Sequence, residues 1–163
     1  MGCAFLQGQG STLTRLEKKE ASRIFSDGLE INPVHISGHT PVTDSLLKKE
    51  DRVFILEQEE AVLGYMLGTS AKGRYDHFDY AVFYSPELEV VGVKVTVYRS
   101  THGAAICQKK WLGQFKGYAG GDLAIGKEID AISGASISAQ SMVDDMQRCF
   151  TLMTSLKAEG FFR

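Results

Sequence analysis

The sequence has little of what marks a metal protein, a membrane-spanning protein or a nucleic-acid-binding protein. It contains three cysteines among 163 residues, Cys3, Cys107 and Cys149, and they are too widely spaced and odd in number for a paired metal motif. No apolar run approaches the roughly 20 residues that a transmembrane helix needs. The formal net charge is −2, so the composition gives no reason to expect nucleic acid as a partner.

Histidine is also sparse, with four residues in the chain. His35 and His39 flank Ser37 and Gly38, a pair that predicts a turn and not a helical metal site. We therefore predict no metal ligands.

The first residues of the chain allow two interpretations. Gly2-Cys3-Ala4 fits the cleavage point of a bacterial lipoprotein whose signal has been removed, and it fits a cloning remnant equally well. No charged start followed by an apolar stretch marks a signal peptide. Under the first interpretation, we expect a signal or anchor that this sequence does not include.

Residues 1–45 are predicted to form a helix and an irregular connection, and residues 46–163 the main body of one compact domain. Apolar residues recur at helical spacing from Thr12 to Phe25. The segment from Glu30 to Asp44 contains two of the three prolines and a glycine, which predicts irregular structure.

Four strands separated by short turns are predicted in the main body. They are the segments 52–58, 61–70, 78–84 and 91–98. Since the connections are short, antiparallel pairing is the simplest arrangement. A final helix from about Ser138 to Lys157 carries an apolar stripe. The sequence therefore predicts a single-domain α+β fold, in which an antiparallel sheet packs with an N-terminal helix and a C-terminal helix.

The most informative stretch is DAISGASISAQS, from Asp130 to Ser141, directly before the final helix. Its small residues would let a bulky anion lie against the backbone. Ser136 would stand near the first helical turn, where unpaired N–H groups and the helix dipole favour negative charge. A hydroxyl there can contact a phosphate or be esterified by one. The alternative is an ordinary helix cap, because serine is common at that position.

This stretch resembles the flavinylation motif of the FMN-binding domain family, which is an Asp, two variable residues and then Ser/Thr-Gly-Ala-Thr. Asp130 matches its first position and Ser136 its last, where the family has Thr. A second block, which precedes the motif, resembles the family at Tyr98, Arg99, His102, Gly103, Trp111, Gln114, Phe115 and Gly117. The family often has Glu where this chain has Ser100. Two ordered blocks are more specific than one short motif, and the resemblance covers roughly residues 50 to 157.

The resemblance implies an FMN site built from both blocks. In the family the last motif residue carries FMN through a phosphoester, which implies attachment at Ser136. The backbone around Gly134 and Ala135 would hold the phosphate, and the hydroxyls of Ser133 and Ser138 would contact the ribityl chain. The candidates for the flavin ring, by their position in the family's block, are Tyr98, His102, Trp111 and Leu112, with Gly103 permitting close approach.

The resemblance also implies partners and a location. In the family a separate flavin transferase of the ApbE type attaches the flavin, using FAD and Mg²⁺, and it is expected to read Asp130. Family members carry FMN in the Rnf and Na⁺-translocating NADH:quinone oxidoreductase complexes. We therefore expect an extracytoplasmic, membrane-associated electron carrier whose donor or acceptor is a membrane redox protein, and we assign no catalytic residue.

Two alternatives stay open for the function, and one for a residue. The chain could be a reductase that binds FMN without a covalent bond, or a non-catalytic ligand-binding or adaptor domain whose SGAS segment is only a helix cap. For Trp111, core packing is the alternative to contact with the flavin.

Overall fold

A five-stranded antiparallel sheet lies at the centre of the fold, in a computed structural model that describes residues 12–163. The strands are β1 (Glu30–Pro33), β2 (Arg52–Gln58), β3 (Ala61–Lys72), β4 (His77–Tyr84) and β5 (Val90–Tyr98). Each strand pairs with the next one in the chain, and the connections between β2 and β5 are short, as antiparallel pairing allows. The predicted α+β fold with an antiparallel sheet is confirmed.

Both faces of the sheet carry buried apolar side chains. Residues that lie opposite one another on β2, β3, β4 and β5 form a row in the larger core cluster: Val53, Leu67, Val82 and Val93. The adjacent row belongs to a smaller cluster: Phe54, Met66 and Phe83. Because successive strand residues point to opposite faces, both faces of the sheet need a cover.

Two helices supply that cover. The C-terminal helix α4 (Ser136–Ala158) packs Met142, Met146 and Met153 into the larger cluster. The N-terminal helix α1 (Arg15–Ile24) packs Ala21 into the smaller one. Both helices were predicted, although α4 begins at Ser136 instead of about Ser138, so the motif's last residue is also the helix's first.

The start of α1 has a capping box. The Thr14 hydroxyl accepts a hydrogen bond from the Glu17 amide at 3.2 Å, and the Glu17 carboxylate accepts one from the Thr14 amide at 2.8 Å. Glu17 is buried, and Arg52 on β2 pairs with its carboxylate at 2.6 Å. The cap therefore also attaches α1 to the sheet.

The prediction of irregular structure between Glu30 and Asp44 is wrong for two segments. One is β1, which pairs with β2 and ends at Pro33, a residue without an N–H for further pairing. The other is the short helix α2 (Pro41–Leu46), with Thr40 as its cap. Pro41 takes the first helical position, where the missing N–H would have no helical partner. Prolines here mark the ends of ordered elements.

Short helical turns and a loop connect β5 to α4. The 3₁₀ turns Ala104–Cys107 and Gly113–Phe115 flank the one-turn helix α3 (Lys109–Leu112). The loop of residues 116–135 then leads to the start of α4. The predicted lipoprotein-like start at Gly2-Cys3-Ala4 lies outside the described residues.

Residues 12–163 include neither a membrane-spanning helix nor a cluster of metal-ligating side chains. No helix in this part of the chain is long and apolar enough to cross a membrane. The same residues contain no group of three or more metal-ligating side chains placed to hold an ion.

Candidate functional site

The N-terminal end of α4 has free backbone donors and no side chain that caps them. The first bond of the helix runs from the Ala139 amide to the Ala135 carbonyl at 2.9 Å, so the amides of Ser136, Ile137 and Ser138 precede it. No side chain caps this end, and its first turn contains no acidic residue. The arrangement favours an anion and does not support the alternative in which SGAS is only a cap.

A tight turn brings the chain into α4. The Ala135 amide donates to the Ile132 carbonyl at 3.4 Å, and Gly134 has a φ of +76°, a conformation that glycine adopts without strain. Ala135 is buried, whereas the side chains of Ser133 and Ser136 are exposed. The turn therefore leaves the Ser136 hydroxyl accessible at the first position of the helix.

A cavity of about 200 Å³ opens at this helix end. Three segments form it: the β3–β4 hairpin, the loop after β5 and the start of α4. The lining residues are Arg74, His102, Gly103, Gly134, Ala135, Ser136, Ile137 and Ser138. Six of the predicted site residues thus line one cavity, all of the lining residues except Arg74 and Ile137. His102 and Ser136 meet there although they are 34 positions apart in the chain.

Ser138, which lines the cavity, and Tyr98, which does not, contact each other. The Tyr98 hydroxyl donates to the His102 carbonyl at 2.6 Å and lies 3.0 Å from the Ser138 hydroxyl oxygen. Ser138 is only 2% exposed. Both predicted residues are therefore at the site, but the Ser138 hydroxyl already has a protein partner, which is a different role from binding a ribityl chain.

Gly103 is required where the loop after β5 passes this pair. Its φ is +82°, and an added Cβ would lie 2.5 Å from the Tyr98 hydroxyl oxygen and 3.0 Å from the Ser138 hydroxyl oxygen. A side chain here would be strained and would push the loop away from α4. The predicted close approach at Gly103 is thus made by the protein's own side chains.

Arg74 and Tyr75 in the β3–β4 hairpin belong to the site and were missed by sequence reasoning. The Arg74 guanidinium lies 5.2 Å from the centre of the Tyr75 ring, and that ring lies 5.3 Å from the His102 ring in an edge contact. Tyr75 is 65% exposed and Ile137, across the cavity, is 53% exposed. The sequence carries no signal for this proximity, because a turn residue such as Arg74 is brought to α4 only by the fold.

Trp111 and Leu112 lie in the core and do not line the cavity. Trp111 is 4% exposed and packs edge-on against Phe115 with ring centres 5.4 Å apart. This position is the one that the core-packing alternative predicts. The Trp111 indole N–H donates to the Asp130 carbonyl at 2.9 Å, so the residue contacts the motif through the backbone of Asp130, whose own side chain is exposed.

The region that contains the cavity matches a known protein family. Residues 73–151 match the model of the FMN-binding domain. These residues belong to the FMN-binding domain family. The match extends from the β3–β4 hairpin into α4, so it includes every residue that lines the cavity. FMN is accordingly the cofactor of the domain.

Solved structures that are similar to this chain include the crystal structure of NqrC from Shewanella oneidensis. The TM-score is 0.51 and the sequence identity 22%, with 66% of this chain and 61% of NqrC covered. The chain thus spans about three fifths of the length of NqrC, and the likeness shows a shared fold. No curated protein matches the sequence significantly.

Proposed function

We propose that this chain is an electron-transfer domain that carries FMN as a phosphoester on Ser136, attached by a separate flavin transferase of the ApbE type. The observation that carries the proposal is the exposed Ser136 hydroxyl at the first position of an uncapped 23-residue helix, beside a cavity that Arg74 also lines. When bound, FMN supplies reversible acceptance and release of electrons.

The residues at the cavity suit the phosphate and the ring system of FMN. A phosphate at the start of α4 would meet the free amides of Ser136, Ile137 and Ser138, the positive end of the helix dipole and the Arg74 guanidinium. The exposed apolar surface of Ile137 and Tyr75 suits a flat ring system. A cation and free backbone donors, with no acidic residue in the first turn, make an environment that an FMN phosphate requires.

The attachment step is a group transfer from FAD to Ser136. The Ser136 hydroxyl oxygen bonds to the phosphorus on the flavin side of FAD, and the bond between that phosphorus and the bridging oxygen breaks. AMP leaves with the electron pair of that bond, and the hydroxyl proton is released. No oxidation or reduction occurs. The exposure of Ser136 supports this step, because the transferase must reach its hydroxyl.

A covalent bond also suits the proposed location. A phosphoester resists reversal in water without an enzyme, so it would keep the flavin on a protein outside the cytoplasm, where free FMN would be lost. The sequence resemblance to the FMN-carrying subunits of membrane redox complexes supports a membrane redox protein as donor or acceptor. We therefore propose an extracytoplasmic, membrane-associated carrier.

The test is to produce the chain together with a flavin transferase and then to denature and wash it. The proposal expects flavin fluorescence that stays with the denatured chain. Flavin that is present in the native protein but washes away would instead support non-covalent binding. A chain that stays colourless and takes no added FMN would contradict both forms of the proposal and favour an adaptor role.

A further inference from the structure

Two hydrogen bonds connect Trp111 and Gln114 to the backbone of Asp130, and a third connects Gln114 to Trp111. The Asp130 amide donates to the Gln114 side-chain oxygen at 2.8 Å, and the Trp111 indole N–H donates to the Asp130 carbonyl at 2.9 Å. The Gln114 side-chain amide donates in turn to the Trp111 carbonyl at 3.2 Å. We call these three residues the Asp130 clamp. It closes a ring in which both backbone groups of Asp130 are bonded.

The clamp is fixed to the rigid part of the domain. Trp111 is buried against Phe115 in the larger core cluster. On the other side of Asp130, Ile129 is 1% exposed, and its carbonyl accepts from the Gly126 amide at 2.8 Å. The backbone of Asp130 is thus held from both directions, while the residue itself stays exposed to solvent.

We propose that Trp111 and Gln114 are positioning residues for flavin attachment, because they present the Asp130 carboxylate in a fixed relation to the Ser136 hydroxyl. This inference rests on the proposed function. A transferase that reads Asp130 and modifies Ser136 must engage two points six residues apart, one in the loop of residues 116–135 and one at the first position of α4. If the loop sampled many conformations, only the fraction with both points in place would be bound, and the apparent affinity would fall by that fraction.

The proposal makes a specific kinetic prediction. Loss of the clamp lowers the population of the competent loop and leaves the chemistry at Ser136 unchanged. The KM of the transferase for this chain should rise about three- to tenfold, as the loss of one or two ordinary hydrogen bonds implies. The kcat should stay within about twofold of wild type.

The experiment uses the full chain without flavin, purified transferase, FAD and Mg²⁺, with attached flavin measured over a range of chain concentrations. Gln114→Ala removes the acceptor for the Asp130 amide. Trp111→Phe keeps an aromatic ring in the core, although a smaller one, and removes the indole donor. Gln147→Ala is the matched control, because Gln147 on α4 accepts from the Leu123 amide at 3.2 Å and so holds the same loop at its other end.

We expect a raised KM for Gln114→Ala and Trp111→Phe, and a wild-type KM for Gln147→Ala. An unchanged KM in both clamp variants would overturn the inference, as would an equal rise in Gln147→Ala, because any loosening of the loop would then suffice. A wild-type chain that accepts no flavin would instead overturn the proposed function, and the inference with it.

Amide hydrogen exchange gives a second measurement that does not depend on the transferase. In the wild-type chain the Asp130 amide should be protected by its bond to Gln114. Gln114→Ala should expose the Asp130 amide and leave the Leu123 amide unchanged. If Asp130 exchanges as fast in wild type as in Gln114→Ala, the clamp does not hold the loop and the inference is wrong.

Discussion

At the scale of single residues, Arg74 supplies a positive charge to the cavity from a hairpin turn. We expect Arg74→Gln to weaken non-covalent binding of FMN about five- to tenfold, or roughly 1 kcal/mol, because an accessible charge is partly screened by solvent. The binding is measured by titration in a Ser136→Ala background, which prevents attachment. Arg23→Gln is the control, since Arg23 pairs with Glu20 on α1.

Riboflavin makes this prediction specific, because it has the ring and ribityl chain of FMN without the phosphate. If Arg74 acts on the phosphate, Arg74→Gln should leave riboflavin affinity unchanged. An equal loss of affinity for both ligands would show that Arg74 does not contact the phosphate.

Ala substitutions at Gly103 and Gly126 distinguish the stability cost of backbone strain from the cost of a steric overlap. Both have a φ of +82°, but an added Cβ meets the Tyr98 hydroxyl at Gly103 and nothing within 4 Å at Gly126. Gly126→Ala should cost about 1–2 kcal/mol of unfolding free energy through strain alone. Gly103→Ala should cost about 1–3 kcal/mol more through overpacking. Urea denaturation measures both, and equal costs would contradict the close approach described here.

At the scale of secondary-structure elements, a buried ion cluster attaches α4 to the sheet. Arg148 on α4 donates to Asp51, just before β2, at 2.8 Å and to Asp145 at 2.6 Å. Tyr80 on β4 donates to Asp145 at 2.6 Å. Breaking such a cluster leaves buried charge uncompensated, so the cluster fixes how α4 lies on the sheet and hence where Ser136 stands.

Asp145 should make the stability of this attachment depend on pH. Burial alone would raise the pKa of Asp145. The hydrogen bond and charge of Arg148, together with hydrogen bonds from Lys48 and Tyr80, outweigh burial and hold that pKa below its ordinary value. A carboxyl whose pKa is lowered by folding stabilises the protein above its ordinary pKa of about 4. That stabilisation is lost as the pH falls through the lowered value.

We therefore expect Asp145→Asn to reduce the unfolding free energy at neutral pH and to flatten its decline below about pH 4. Asp144→Asn, at an exposed neighbouring position, should change stability by no more than about 0.5 kcal/mol. Denaturation curves between pH 2 and pH 7 are the measurement. An identical acid profile in wild type and Asp145→Asn would contradict the role given to Asp145.

Sequence patterns predict the elements of this fold better than their details. The strands β2 to β5 follow from their apolar residues and short turns. The alternating valines from Val91 to Val97 predict one apolar face for β5, and the structure departs from that prediction. Val93 and Val95 pack in the larger cluster, whereas Val91 contacts the smaller cluster and Val97 is exposed. Two register shifts in the β4–β5 pairing cause the departure, and such shifts depend on packing between strands.

At the scale of the whole molecule, the site combines segments that the sequence identifies with segments that it does not. The motif before α4 and the block after β5 carry their own signals, and the fold brings Ser136, Gly134 and His102 to one cavity. Arg74 was missed because its hairpin reaches α4 only through the sheet. The position of Trp111 in the family's sequence block is compatible with two roles, contact with the flavin and a hydrogen bond to the backbone of Asp130. The sequence does not distinguish between them.

The most direct test of the central claim is the location of covalent FMN on the intact chain after treatment with the transferase. We expect one addition, equal to FMN less one water, on the peptide that contains Ser136. It should be absent from Ser136→Ala, whose fold should be kept because a position at a helix start contributes only about 1 kcal/mol, and present in Ser136→Thr. Retention of FMN by Ser136→Ala, or its location on Ser133, Ser138 or Ser141, would contradict the claim.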